Sequence, residues 1–224
     1  MYLIIFIGIA LFSFIVQNNL RNTFKKYSKI PVIGGARGCD VALKMLHDNG
    51  IKSVKVICVD GYLTDHYDPI KKSVSLSSDV YNGSNITAAA VAAHECGHAV
   101  QHAKAYAPLR IRSVLVPVVS FASRWVTWIL LLGIFLMEVY PQIMIVGIVL
   151  FALTTAFTFV TLPVEIDASR RALSWLGRSG FVDSRTAKPA EEALRSAAYT
   201  YVVAALASLG TLIYYIMIFM GRRS

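Results

Sequence analysis

Apolar and polar positions alternate in blocks along this chain. Tyr2 to Val16 is an almost uninterrupted apolar run that ends at Gln17-Asn18-Asn19. A second run, from about Val114 to Val139, is interrupted by Pro117 and Arg124, and Ile143 to Leu162 is a clean apolar stretch. A fourth spans Tyr201 to Met220. About 20 helical residues at ~1.5 Å rise cover ~30 Å, enough for the hydrocarbon core of a bilayer. The first run lacks the basic start and small-residue cleavage site of a signal peptide and is expected to be a retained anchor. Arg124 fits a crossing that starts in the interfacial zone, with Arg124 snorkelling and Trp125 and Trp128 as interface anchors.

The polar blocks carry a different periodicity. Arg21 to Lys29 is basic and partly amphipathic, suited to the membrane surface. Gly34 to Gly38 is turn-like. Cys39 to His47 has helical spacing through Val41, Ala42, Met45 and Leu46, with Asn49-Gly50 as its stop. Val54 to Val59 is a strand candidate, Thr64 to Pro69 a polar loop, and Ser73 to Ser77 alternates as an edge strand does. Ser84 or Asn85 can cap a helix running from about residue 86 to 104. The expected fold is therefore mainly α: about four transmembrane helices plus a small cytoplasmic α+β portion with a short β-sheet. Its divisions are an anchor at 1–17, a cytoplasmic segment at 18–112, a transmembrane hairpin at 113–162, a cytoplasmic helix at 163–200 and a last transmembrane helix at 201–224.

Composition supports a membrane protein. Of 224 residues, 56% are hydrophobic and only 16% charged, with mean hydropathy +0.57, less charge than a soluble domain of this size carries. Charge asymmetry then gives an orientation. Residues 18–112 hold 13 of the 22 Lys and Arg, residues 163–200 hold 6, and the turn at 138–142 holds none. By the positive-inside rule both basic segments face the cytoplasm of an inner (cell) membrane protein that crosses several times, with both termini outside; Arg222-Arg223 pulls the other way. The net charge of +9 is accounted for by anionic lipid, and no nucleic-acid module is present. Three scattered cysteines, Cys39, Cys58 and Cys96, suit reduced thiols. Small residues such as Gly133 and Gly147 leave room for helix packing within the chain, or in a homo-oligomer or with a membrane partner.

Chemistry concentrates in His94-Glu95-Cys96-Gly97-His98. In a helix, residues four apart share a face, so the two histidines can grip one metal ion, and Glu95 can take a proton from a water on it. This H-E-x-x-H pattern points to Zn2+-dependent hydrolysis of a polypeptide substrate. A catalytic zinc needs a third ligand and an open position. His102 lies on the same straight helix and cannot converge with both, His47 has no spacing argument, Glu138 falls across the membrane, and Glu191 and Glu192 read as a solvated face. Glu165 stands apart, because a carboxylate at the bilayer boundary needs a charged partner: a zinc ion, or alternatively Arg170 or Arg171. Cys96, between the ligands, is expected to be buried and inert.

Four segments then carry a resemblance. They are Leu63-Thr64-Asp65-His66-Tyr67-Asp68-Pro69, the residues Ala92 to Gln101 around the histidines, Thr161 to Leu173 around Glu165, and Ala197-Ala198-Tyr199-Thr200-Tyr201-Val202. Together they resemble the bacterial membrane neutral zinc metallopeptidase (YugP-like) family, which is similar to the broader membrane gluzincins. The resemblance implies a zincin-like cytoplasmic portion, with His94 and His98 as ligands, Glu95 as base and Glu165 as third ligand. Two departures stand out. Gluzincins usually carry Asp four residues after the third ligand, where this chain has Ser169. They often use a downstream His as oxyanion donor, and no His follows His102 here.

Candidate oxyanion donors are His66 and Tyr67, then Arg170 and Arg171. Asp65 and Asp68 offer a plainer role for that loop, pinning it by hydrogen bonds. Asp167 can orient a ligand histidine or pair with Arg171, and Ser169, Arg170 and Arg171 complete the expected surroundings of the site. An exposed strand at Ser73–Ser77 would pair with an extended substrate. The reading is a membrane-embedded endopeptidase at the cytoplasmic surface, serving membrane-protein quality control. The alternative is a non-catalytic, metal-binding scaffold or chaperone-like protein.

Overall fold

The computed structural model describes residues 2–221, with side chains from Ile7 onward. Met1, the Tyr2–Phe6 side chains of the N-terminal run and the Arg222-Arg223 tail lie outside it. In chain order come α1 (Tyr2–Tyr27), α2 (Gly38–Asp48), β1 (Lys55–Val59), β2 (His66–Asp68), β3 (Ser73–Ser77), α3 (Ser78–Asn82) and α4 (Ile86–Ala103). Three long helices follow, α5 (Ala107–Phe135), α6 (Pro141–Ser179) and α7 (Ala187–Gly221).

The centre of the fold is α4. Asn85 caps it, its side chain accepting from the Ala88 N–H at 3.0 Å, which satisfies one of the otherwise unpaired first-turn donors. The run Ala88-Ala89-Ala90-Val91-Ala92-Ala93 is buried throughout. Small side chains let helices close in from several sides, and α4 packs against α2, α6 and α7 and beneath the sheet. Val74 and Leu76 of β3 and Val41, Met45 and Leu46 of α2 complete this core. Phe24 and Tyr27 at the end of α1 join it, and the Tyr27 hydroxyl donates to Glu192, tying α1 to α7.

The sheet corrects two expectations. Its order is β1-β3-β2, with β3 parallel to β1 and antiparallel to β2. Ser73–Ser77 is therefore the central strand, with every residue buried, and it is not free to pair with a substrate. The polar loop 64–69 contains the edge strand β2, with Tyr67 opposite Val74 and His66 opposite Ser75. The polar sequence His66-Tyr67-Asp68 becomes a strand because β3 offers it a hydrogen-bonding edge; local propensity gives no such signal. Asp65 secures the entry by accepting from the Ser77 N–H and hydroxyl at 2.8 and 3.1 Å, and burial lifts its pKa against those bonds. The expected pinning role of Asp65 and Asp68 has its counterpart here, since Asp68 accepts the Ile70 and Lys71 N–H groups at 2.8 and 3.0 Å.

Helix bounds also differ from the expected divisions. The helix of the second apolar run begins at Ala107. Residues 163–200 are not one separate helix. Pro163 lies inside α6, which continues to Ser179, and residues 187–200 begin α7. Proline removes one backbone donor, a defect that long apolar helices absorb. At 39 residues, α6 is ~58 Å long, about twice the ~30 Å hydrocarbon core. Among the described residues three helices, α5, α6 and α7, are long and apolar enough to cross a membrane, fewer than the four crossings expected. The α5–α6 hairpin is close-packed within the chain: a Cβ on Gly133 would lie 2.8 Å from Cα of Met144.

Candidate metal centre

His94 and His98 project from one face of α4 toward α6. Gly97, between them, sets the approach. A Cβ there would meet the Ala168 carbonyl oxygen of α6 at 2.6 Å, so only glycine lets the two backbones come this close. The contact puts Glu165 and Ser169, on either side of Ala168, opposite the two histidines. Gly97→Ala is expected to force the helices apart, costing ~1–3 kcal/mol as overpacking does and emptying the site of metal. Elemental analysis beside a circular-dichroism melt checks both effects.

Nε2 of His94 and Nε2 of His98 stand 3.3 and 3.6 Å from Oε2 of Glu165. The three residues form a group that could hold a metal ion, their ligand atoms all within 4.8 Å of one another. Bonds of ~2.0–2.1 Å in a tetrahedron put neighbouring ligand atoms ~3.3 Å apart. Glu165 is 3% exposed, and among the described residues its Oε2 and the Ser73 hydroxyl are the two buried side-chain oxygens without a hydrogen-bond partner.

Outer hydrogen bonds decide what faces that oxygen. The Gln101 Nε2 amide donates to the Val164 carbonyl and to Asp167, both at 2.8 Å. Both partners are acceptors, so this end of the amide is the NH2 and its oxygen faces His98 Nδ1 at 3.0 Å. Nδ1 of His98 therefore carries a proton, so a neutral ring would turn a bare Nε2 lone pair toward Glu165. His94 Nδ1 pairs likewise with the Ser169 hydroxyl at 3.0 Å. Bare nitrogen and carboxylate oxygen lone pairs converging in a buried place repel unless a cation lies between them. Burial alone lowers the His98 pKa, but Glu165, Glu95 and Gln101 more than offset it, so it stands above the ordinary histidine value. A field that holds a proton also favours a metal ion. The donor set of two imidazoles and a carboxylate fits zinc.

Around these residues lies a cleft of about 490 Å³ lined by Glu95, His98, Glu165, His66, Tyr67, His102, Arg112 and Tyr201, among others. His66 Nδ1 donates to the Thr64 carbonyl at 2.8 Å, and the Tyr67 hydroxyl pairs with His102 Nδ1 at 2.8 Å, fastening β2 to α4. Asp167 has two partners, Arg171 and Gln101. It accepts from Arg171, which also lies over the Tyr106 ring, and it reaches His98 through Gln101. Arg170 is exposed. Cys96 is fully buried, its thiol facing the Ala42 carbonyl at 3.5 Å, and burial, then the Glu95 charge, pushes its pKa far up.

Three residues here escaped sequence reasoning: Gln101, Arg112 and Tyr201. Gln101 was findable, being one turn past His98 on the same helix face. Arg112 gave a fainter signal, a charge in the second turn of an apolar helix. Tyr201 sat inside an apolar run and gave none.

Comparisons with known proteins agree with this chemistry. A family model described as "Putative neutral zinc metallopeptidase" matches residues 2–220. "Putative membrane protease YugP" of Bacillus subtilis (strain 168) is 41% identical over 223 residues, 99% of this chain and 98% of that one. No solved structure matches the chain. Identity at this level over the whole length, together with the family match, shows that the chain belongs to the neutral zinc metallopeptidase family.

Proposed function

We propose that this protein is a zinc-dependent endopeptidase of gluzincin type, acting on polypeptides at the cytoplasmic surface of the cell membrane. The observation that carries the reading is the convergence of His94 Nε2, His98 Nε2 and the buried, otherwise unpartnered Glu165 Oε2. A zinc ion held there would act as a Lewis acid and lower the pKa of a bound water to ~7. Glu95, at the cleft wall, takes the proton of the attacking water and delivers it to the leaving amine. Ser169 and Gln101 hold the two imidazoles with Nε2 forward.

The developing oxyanion needs donors on the far wall of the cleft. Neutral His66 has its one N–H on the Thr64 carbonyl and donates there only when protonated, and the Tyr67 hydroxyl is shared with His102. Tyr201, which lines the same cleft as Glu165 and Glu95, is the donor we favour, with Tyr67 and His66 beside it. An extended substrate lies along β2, the edge strand that borders the cleft.

The orientation rests on charge: the basic segments 18–112 and 163–200 face the cytoplasm, with α1 as a fourth crossing. A site at the cytoplasmic membrane surface suits loosened segments of membrane proteins, hence a quality-control role. The test is cleavage of an unfolded, fluorescently labelled polypeptide by the full-length protein in detergent. Activity is expected to vanish on chelation and return with stoichiometric zinc. Bound zinc without any cleavage would favour the scaffold reading instead.

A further inference from the structure

The two oxygens of Glu165 look in different directions. Oε2 faces the histidines, while Oε1 lies 3.5 Å from Nη1 of Arg112. Among the described residues Arg112 is the only lysine or arginine within ion-pair distance of this carboxylate. It reaches Glu165 from a different helix, α5, and its side chain is about one-third exposed on the cleft. Arg171, the other cation near this part of α6, is taken by Asp167.

A carboxylate can give a divalent ion one oxygen or both. Both, with two imidazoles, fill four positions and leave no place for water in a tetrahedral set. We propose that Arg112 is a positioning residue of the metal centre. By holding Oε1 it presents Oε2 alone to the ion and so keeps one position open for water. The inference rests on the reading of the site as a catalytic zinc centre. An arginine suits the task, because its charge is permanent and its planar fork fixes the direction of a carboxylate. Its place near the start of an apolar helix fits as well, since a charge there is costly without a partner.

The test uses full-length protein in detergent, loaded with Co2+ as a spectroscopic probe and with Zn2+ for kinetics. Arg112→Gln is expected to change the cobalt d–d absorption, as the second carboxylate oxygen takes the place of water among the four ligands. It should lower kcat ~10–100-fold, the range for losing an outer partner of a metal ligand, with KM unchanged. Arg112→Lys should restore most of both. A folded Arg112→Gln protein with the wild-type cobalt spectrum would overturn the proposal, as would a rise in KM with that spectrum intact, which would make Arg112 a substrate contact. Should the variant fail to fold, zinc-edge X-ray absorption of the wild type decides. One carboxylate oxygen on the metal supports the proposal, and two overturn it. A Glu165→Ala control with undiminished cobalt binding would instead remove the metal reading itself, and the proposal with it.

Discussion

Glu95→Gln is expected to leave zinc in place and the fold intact while lowering kcat by ~10²–10⁴-fold, the usual worth of a positioned general base. Glutamine has the shape of glutamate and can still accept a hydrogen bond, but it cannot take a proton from water. Glu95 is 8% exposed on the cleft wall, next to His94 in sequence, and it is outside the three-residue metal group. Loss of its charge should therefore spare metal content. Zinc analysis and single-turnover cleavage on the same preparation check both halves. Full activity in the variant would exclude Glu95 as the base.

Glu165→Ala should act on the metal before it acts on the chemistry. The carboxylate contributes the one negative charge among the three ligand groups, and its Oε2 is the atom on which both imidazoles converge. The loss in zinc affinity is expected to exceed the ~10–100-fold typical of removing an outer partner. Arg112 would also lose its ion-pair partner. A competition titration with a chromophoric chelator measures the change, and unchanged affinity would take Glu165 out of the ligand set. Gln101→Ala, by contrast, leaves all three residues of the metal group in place and should lower zinc affinity by only ~10–100-fold.

These contrasts track what sequence could reveal. His94 and His98 were legible because a helix turns a spacing of four into a shared face, a local rule that needs no tertiary information. Glu165 lies 67 positions beyond His98 in number, so only elimination and its place at the bilayer boundary pointed to it. What brings it in is the backbone contact at Gly97 and Ala168, and nothing local in either helix announces that contact. The sheet shows the same divide. Alternation in Ser73–Ser77 gave a strand correctly, but its central place depends on β1 and β2, so the inference that it binds substrate moved to β2. The long apolar helices α5, α6 and α7 were found by hydropathy, yet their ends were misplaced, because α6 runs on past its apolar stretch and α7 begins well before its own. Arg112 and Tyr201 became visible only once α5 and α7 were seen to border the same cleft.

The central claim is that His94, His98 and Glu165 together hold one zinc ion. Elemental analysis of the purified full-length protein, beside His94→Ala and Glu165→Ala made the same way, tests it most directly. The account predicts one zinc per chain in the wild type and a clear deficit in both variants. Wild-type protein that cleaves polypeptide without zinc, or variants that keep the full complement, would contradict it.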